Sequence, residues 1–178
     1  MPKNSLPLSK VYTLIEPGPV VLLTTAASEK SNVMAMSWHS MLEFEPPLIG
    51  CVVSNRSHSY TLLKKSRECV INIPTADIAD KVVGCGNTTG ATTDKFKKFG
   101  LTPGPAAVVH VPLIEECWAS LECRVVDTSM VSQYAFFVLE VLKAWVDPRT
   151  RQPRTIHHRG YGSFMVAGET IKLRSKMR

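Results

Sequence analysis

Asn32 to Ser40, NVMAMSWHS, alternates bulky and small side chains. Read as extended chain, it puts Met34, Met36 and Trp38 on one face and Val33, Ala35, Ser37 and His39 on the other. The first set predicts a core face. The second, small from Val33 to Ser37, suits either close packing under a neighbouring loop or the approach of a flat ligand to the backbone. Upstream, Val20 to Thr25 is a short β-branched and leucine run, and the turn-like AASEKSN joins it to a second strand ending near Leu42, as in a hairpin. Glu45-Pro46-Pro47 breaks the chain, and Leu48 to Ser54 is a near-continuous apolar run of strand length. CVINI, ending at Pro74, reads as another strand. Ile114 to Asp127 and Tyr134 to Asp147 are long enough for curled antiparallel strands, and TIHH and SFMVAG follow as short ones.

Three short helices fit between these runs. The first spans Tyr60 to about Ser66 and turns Leu62 and Leu63 inward; the second is capped by Thr75 or Asp77 and runs through Val83; the third is capped by Thr93 or Asp94 and stopped by Gly100 after Lys98. Many strands, few helices, no internal repeat and no low-complexity linker predict a mainly β fold, a closed or partly open antiparallel barrel rather than a doubly wound sheet. At 178 residues the chain predicts one domain.

Composition narrows the setting. The N-terminal MPKNSLPLSK has no apolar core of a signal peptide, and the best candidate span, Tyr134 to Val146, is interrupted by Glu140 and Lys143, so no membrane span and no export are expected. Cysteines 51, 69, 85, 117 and 123 are odd in number and form no C-x-x-C pair, which predicts reduced, mostly buried thiols and a cytoplasmic protein. Cys117 and Cys123, six apart, are able to share a strand face, without further ligands at metal-site spacing. The net charge of +6 is concentrated: residues 143–178 hold nine Lys or Arg against two Asp or Glu, leaving the body at −1. A basic tail admits a nucleic-acid-binding β-barrel as one reading. The missing aromatic interleaving and helix-turn-helix pattern favour a solvated segment, or one folded against a partner subunit.

The candidate chemistry lies in two loops. SNRSHSYT, residues 54–61, sets Arg56, His58 and five hydroxyl side chains before a helix, with Ser59 placed as N-cap and Arg56 as a fork. The segment suits a monophosphate cradle, or a capping serine with solvated neighbours. No G-x-x-x-x-G-K-[ST] is present. GCGNTTG, residues 84–90, has Thr89 where a dinucleotide fingerprint needs its third glycine, and it follows a helix-like segment rather than a strand. The continuation, GATTDKF, offers a second anion-reaching loop with Lys95 one step inside a helix, or a plain connection with a solvated lysine. His157 and His158 are adjacent and point to opposite faces of a strand, so no metal site is expected. With no G-x-S-x-G, no H-E-x-x-H and no acidic pair, no catalytic side chain is assigned, and any hard chemistry would come from a bound cofactor.

The ordered set NVMAMSWH, EPPLIGCVVSNRSHSYTLL, CVINIP, VGCG with TTDKFKKFGLTP, PLIEECWASLECRVVD, FFVLEVLKAWVD and TIHHRGYGSF resembles the flavin reductase-like family, the FMN-binding split-barrel group that includes flavoredoxin. The resemblance runs from about Pro17 to Ile171. It implies a single domain over residues 1–178, an antiparallel Greek-key split β-barrel with a few short helices. Residues 1–16 would form an arm, and the basic segment 148–178 would pack at the interface of a homodimer. FMN is the implied cofactor. Met36, Ser37, Trp38 and His39 would meet its isoalloxazine, Ser54, Arg56, Ser59 and Tyr60 would hold the ribityl chain and phosphate, and Thr89, Thr93 and Lys95 would close from the second loop. The implied activity is an oxidoreductase, either an NAD(P)H-dependent flavin reductase or a flavoredoxin-like electron carrier, with a flavin or redox-protein acceptor and neither nucleic acid nor membrane as partner. A non-catalytic flavin carrier is the other reading. Two departures stand out: Ala35 replaces a threonine, and Thr89 and Ala91 stand where a serine and an arginine are usual. A hydrogen bond to a charged group contributes roughly 1.5–3 kcal/mol, so the lost cation makes FMN an exchangeable substrate as readily as a tight prosthetic group.

Overall fold

The computed structural model describes residues 3–11, 18–28 and 30–175. Its strands are β1 (Asn4–Leu6), β2 (Val21–Ala27), β3 (Lys30–Met36), β4 (His39–Phe44), β5 (Pro47–Val52), β6 (Glu68–Ile73), β7 (Pro103–Gly104), β8 (Leu113–Ile114), β9 (Ala119–Asp127), β10 (Phe136–Val146), β11 (Ile156–Gly160) and β12 (Ser163–Val166). Four short helices lie among them: α1 (His58–Ser66), α2 (Ala79–Gly86), α3 (Lys95–Phe99) and α4 (Val131–Tyr134).

The main sheet runs β3-β2-β6-β9-β10-β5-β4, every pairing antiparallel. Laid flat, its seven strands would hold the two edges about 29 Å apart at roughly 4.8 Å per spacing. Yet edge strands β3 and β4 are joined by Ser37 and Trp38 alone, at most about 11 Å of chain between Met36 and His39. The sheet therefore curls until its edges meet. It also forks: β10 pairs with β5 over Phe136–Glu140, while β1 joins its far end opposite Ala144–Val146. A curled, forked antiparallel sheet with few short helices is the expected split barrel.

Alternation along β3 assigns its two faces. Met36 is buried and Met34 packs against the barrel interior, with Leu23, Ile71, Leu121 and Phe137. Val33 and Ala35 point outward into a second core, where Val82 and Cys85 of α2 and Phe96 of α3 cover the strand. The alternation ends at Met36. Trp38 lies in the connection between the barrel's edges, 71% exposed, and is not a core residue. The Ile114–Asp127 run is likewise interrupted, because residues 115–118 turn between β8 and β9. Cys117 thus falls in the outer core and Cys123 in the inner one, so they do not share a strand face. All five cysteines are buried free thiols. The proline break holds the β4–β5 turn, with a cis Glu45–Pro46 bond.

The helices start and stop on local chemistry. Ser57 caps α1, its Oγ accepting from Tyr60 N, so the helix begins two residues earlier than expected and Ser59 sits inside it. A 3-10 turn, Ala76–Ile78, precedes α2, and Thr75 gives no side-chain cap bond there. Asp94 caps α3 through a bond from Lys97 N, and Gly100 closes it at φ 58. Gly84 is what lets α3 approach: a Cβ there would lie 2.4 Å from the Phe99 ring. Among the described residues no helix is long and apolar enough to cross a membrane.

Candidate functional site

A cleft follows the outward side of β3, bounded by α1's first turn, the end of α2 and the loop into α3. Its wider part is a cavity of about 590 Å³. Ala35, Met36 and Ser37 form one wall, Val82 and Val83 of α2 another, and the β11–β12 hairpin a third through His158, Tyr161 and Phe164. His158 and Phe164 stack at 5.2 Å between centroids, tilted by 49°. The chamber is mostly apolar and suits a flat ring system.

A second cavity of about 290 Å³ continues from it, sharing Ala35, Gly86 and Asn87. Here the lining becomes polar: Asn32, Arg56, Ser57, His58, Thr89 and Lys95. The start of α1 opens into this end, so unpaired N–H groups and the positive end of the helix add to Arg56 and Lys95 in favouring an anion. A third recess of about 410 Å³ lies beyond, sharing His58 and Gly90 and lined also by Lys30, Ala91 and Thr93. Where Ala91 leaves the second loop without a cation, Lys30 of β3 supplies one across the recess.

Lys95 is the most constrained group of the cleft. It is 5% exposed, and its Nζ donates to Val33 O at 2.8 Å and to Cys85 O at 2.8 Å. Burial lowers its pKa from the ordinary lysine value, and the Cys85 thiol opposes that shift. Two of its three donor hydrogens are spent on the fold, leaving one for the cavity. The Val33 carbonyl, taken by Lys95, points away from β2. Backbone groups of an antiparallel strand alternate sides residue by residue, so Ala35 turns its N–H and C=O to the same free edge, between the apolar chamber and the polar end.

The cleft gathers Met36, Ser37, Arg56, Thr89 and Lys95, with Thr93 in the adjoining recess. Five other expected residues stand off it. The Ser54 hydroxyl accepts from Arg56 N at 3.3 Å and so shapes the loop that carries the arginine. Ser59 is not the cap: with α1 starting at His58, its Oγ is turned inward, accepting from Thr25 Oγ1 at 3.1 Å and Asn32 Nδ2 at 2.8 Å. The same shift turns Tyr60 away, onto Phe137 at 5.7 Å and into a separate cavity of about 230 Å³ with Lys64 and Arg67. Trp38 is exposed beside Ser37. His39 bonds through Nε2 to Pro19 O at 2.7 Å, and burial lowers its pKa against the raising effect of that carbonyl.

Asn32, His58 and the aromatic wall of β11–β12 also line the cleft, without having been marked as site residues by the sequence. A signal for the last exists in GYG: Gly160, Tyr161 and Gly162 all take positive φ, at 93°, 50° and 75°, and make the tight turn that brings Phe164 back beside His158.

A model described as "Flavin reductase like domain" matches residues 14–165. The uncharacterized protein YddH of Escherichia coli is 31% identical over 172 residues, covering 89% of this chain and 91% of its own. An uncharacterized protein of Archaeoglobus fulgidus is 36% identical over 120 residues, 67% of this chain and 68% of its own. Among solved structures, an FMN-binding domain of a flavin reductases-like enzyme from Shewanella baltica superposes with a TM-score of 0.92 at 25% identity, over 97% of this chain and 98% of that one. Flavoredoxin of Desulfovibrio vulgaris shares the fold with a TM-score of 0.82 at 22% identity, over 92% and 94%.

Proposed function

The chain belongs to the flavin reductase like family, and on that premise we propose that its cleft binds FMN and that the protein is an FMN-dependent oxidoreductase. The observation that carries this reading is the continuity of an apolar chamber with a polar, cationic end along one strand edge. An amphipathic ligand with a flat ring and a single phosphate matches both halves. Arg56, the start of α1, Thr89 and the remaining donor of Lys95 would hold the phosphate. Ala35, Met36 and Ser37 would meet the ring through their backbone, against the α2 and β11–β12 walls. Thr93 and Lys30 would close the outer recess. Ser54 and Ser59 serve by ordering Arg56 and Asn32, and Trp38 and His39 stand at the barrel seam beside the ring.

When bound, FMN supplies the redox chemistry, carrying electrons from a nicotinamide nucleotide or another donor to a flavin or redox-protein acceptor. The chain's own part is to orient the ring, exclude water through the apolar walls and neutralise the phosphate. The apolar seam, with Trp38 at 71%, Leu42 at 49% and Phe44 at 60% exposure, supports a homodimer across it; of the basic segment, β11–β12 packs on its own protomer, and residues 168–175, with Ile171 and Leu173 exposed, would meet the partner. Five reduced, buried cysteines support a cytoplasmic setting.

Titration with FMN and with riboflavin, which lacks the phosphate, tests the assignment. Arg56 is exposed, so Arg56→Ala should leave the melting temperature unchanged, weaken FMN by about 10- to 100-fold and leave riboflavin unaffected. Equal loss for both ligands would refute the phosphate assignment.

A further inference from the structure

The cavity of about 230 Å³ beside α1 shares no lining residue with the cleft or its outer recess. Its floor is apolar and buried, made by Leu63 of α1, Val125 of β9, Val131 of α4 and Phe137 of β10. The ring of Tyr60 stands edge-on to Phe137, at 73° between planes, and forms one wall. Both charged groups that line the cavity are cations, Lys64 and Arg67. With Tyr60 and Leu63 they sit at i, i+3, i+4 and i+7, so one stripe of α1 and its cap delivers the ring, part of the floor and both charges. Lys64 Nζ lies 5.6 Å from the centroid of the Tyr60 ring. Thr128 and Ser132 add hydroxyls from the β9–α4 side.

Arg67 is held there against its backbone preference. It closes α1 in the left-handed region, at φ 58, where glycine is the ordinary residue and a side chain is disfavoured. Three bonds fix it: its N donates to Leu63 O at 2.9 Å, its O accepts from Val125 N at 2.8 Å, and its Nη2 donates to Val125 O at 3.3 Å. The rest of the guanidinium fork remains for a ligand. Backbone strain that surrounding bonds maintain clusters at ligand sites. The acids adjoining these elements are engaged elsewhere, Glu68 with His110 and Asp127 with Ser129 N. Among the described residues neither Lys64 nor Arg67 enters an ion pair. Lys65, in the same turn, reaches instead to Ser28 Oγ at 3.4 Å and is an ordinary helix-end lysine.

We propose that this cavity is a second binding site, one that takes a small aromatic monocarboxylate. The apolar floor and the Tyr60 edge suit a ring, the Arg67 fork suits two carboxylate oxygens, and Lys64 adds a point charge beside them. Inorganic phosphate has no body to cover the floor, and a sugar phosphate would strand its hydroxyls against it. The inference goes beyond the FMN reading and stands whatever the cleft binds.

The probe is para-fluorobenzoate, followed by fluorine NMR in titrations of the full chain, with para-fluorobenzamide as its uncharged counterpart. Wild type should bind the carboxylate about tenfold more tightly than the amide. Arg67→Gly removes the fork and relieves the left-handed strain, so it should melt no lower than wild type yet lose about tenfold in affinity for the carboxylate. Lys64→Ala should weaken the carboxylate and Lys65→Ala leave it unchanged, and saturating FMN should not displace it. Equal binding of acid and amide, an Arg67→Gly variant of wild-type affinity, or displacement by FMN would each overturn the proposal, as would a wild type that binds neither probe. If the glycine variant does not fold, the two lysine variants decide: equal affinities overturn the proposal, and loss in Lys64→Ala alone supports it. A wild type that takes up no FMN but binds the carboxylate with this pattern refutes the cleft reading and supports this one.

Discussion

Replacing Lys95 by methionine preserves much of the side-chain volume and removes the ammonium. That group is 5% exposed and donates at 2.8 Å to Val33 O and at 2.8 Å to Cys85 O, tying the free edge of β3 to the last turn of α2. A hydrogen bond to a charged group contributes roughly 1.5–3 kcal/mol, so losing two bounds the cost at about 3–6 kcal/mol. Part returns, because the buried charge itself is costly and its pKa is lowered for that reason. A net destabilisation of about 2–4 kcal/mol follows, a large fraction of the 5–15 kcal/mol typical of a domain. In urea, with a slope near 2 kcal/mol per molar, the midpoint should fall by about 1–2 M. The pH dependence has a definite sign. The folded pKa of Lys95 is lowered, so between that pKa and the unfolded value near 10.5 the unfolded chain binds more protons, and wild type gains stability as pH rises through this window. The methionine variant lacks that gain. A variant as stable as wild type at neutral pH, or more so, would refute the view that this ammonium holds the cleft together.

Two further perturbations test the frame around the site. Glu122 is fully buried and its carboxylate accepts from Ala107 N, Val108 N, Val109 N and Trp145 Nε1. Glu122→Gln presents an amide donor to those donors and should lower stability by about 2–3 kcal/mol, read as a lower urea midpoint and earlier proteolysis at residues 105–110; an unchanged midpoint would contradict it. Asp147 accepts from Arg149 Nε at 2.9 Å and Nη2 at 2.8 Å, and these bonds hold its pKa down at about 2. A lowered carboxylate pKa contributes stability that is complete above the unfolded value near 3.8 and lost as pH falls toward about 2, so Asp147→Asn should flatten acid unfolding in that window and nowhere else.

Most strands were legible because a half-buried strand repeats every two residues whatever surrounds it. Met34 and Met36 against Val33 and Ala35 predicted two faces, and the structure gives each its own core. The same rule failed at Trp38, since alternation carries no mark of where a strand leaves its sheet to close a barrel. Ser54, Ser57 and Ser59 are equivalent as capping residues on paper. The choice of Ser57 turned Ser59 and Tyr60 inward, and two expected ligand contacts became packing and network residues. Asn32 was hidden because an isolated asparagine after AASEKS reads as part of a turn. His158 and Phe164 come to the cleft only by a tertiary return over more than a hundred residues, which no local pattern encodes. Arg56, Thr89 and Lys95 were visible since hydroxyls and cations at helix starts have a direct physical use.

Binding of FMN by the cleft is decided by the visible absorption spectrum of the purified protein after incubation with FMN and removal of excess ligand. Flavin bands that stay with the wild-type protein, are reduced with Arg56→Ala and are regained when the variant is held in excess FMN are the predicted result. A protein that stays colourless, and whose addition leaves the fluorescence of free FMN unchanged in titration, would contradict the account.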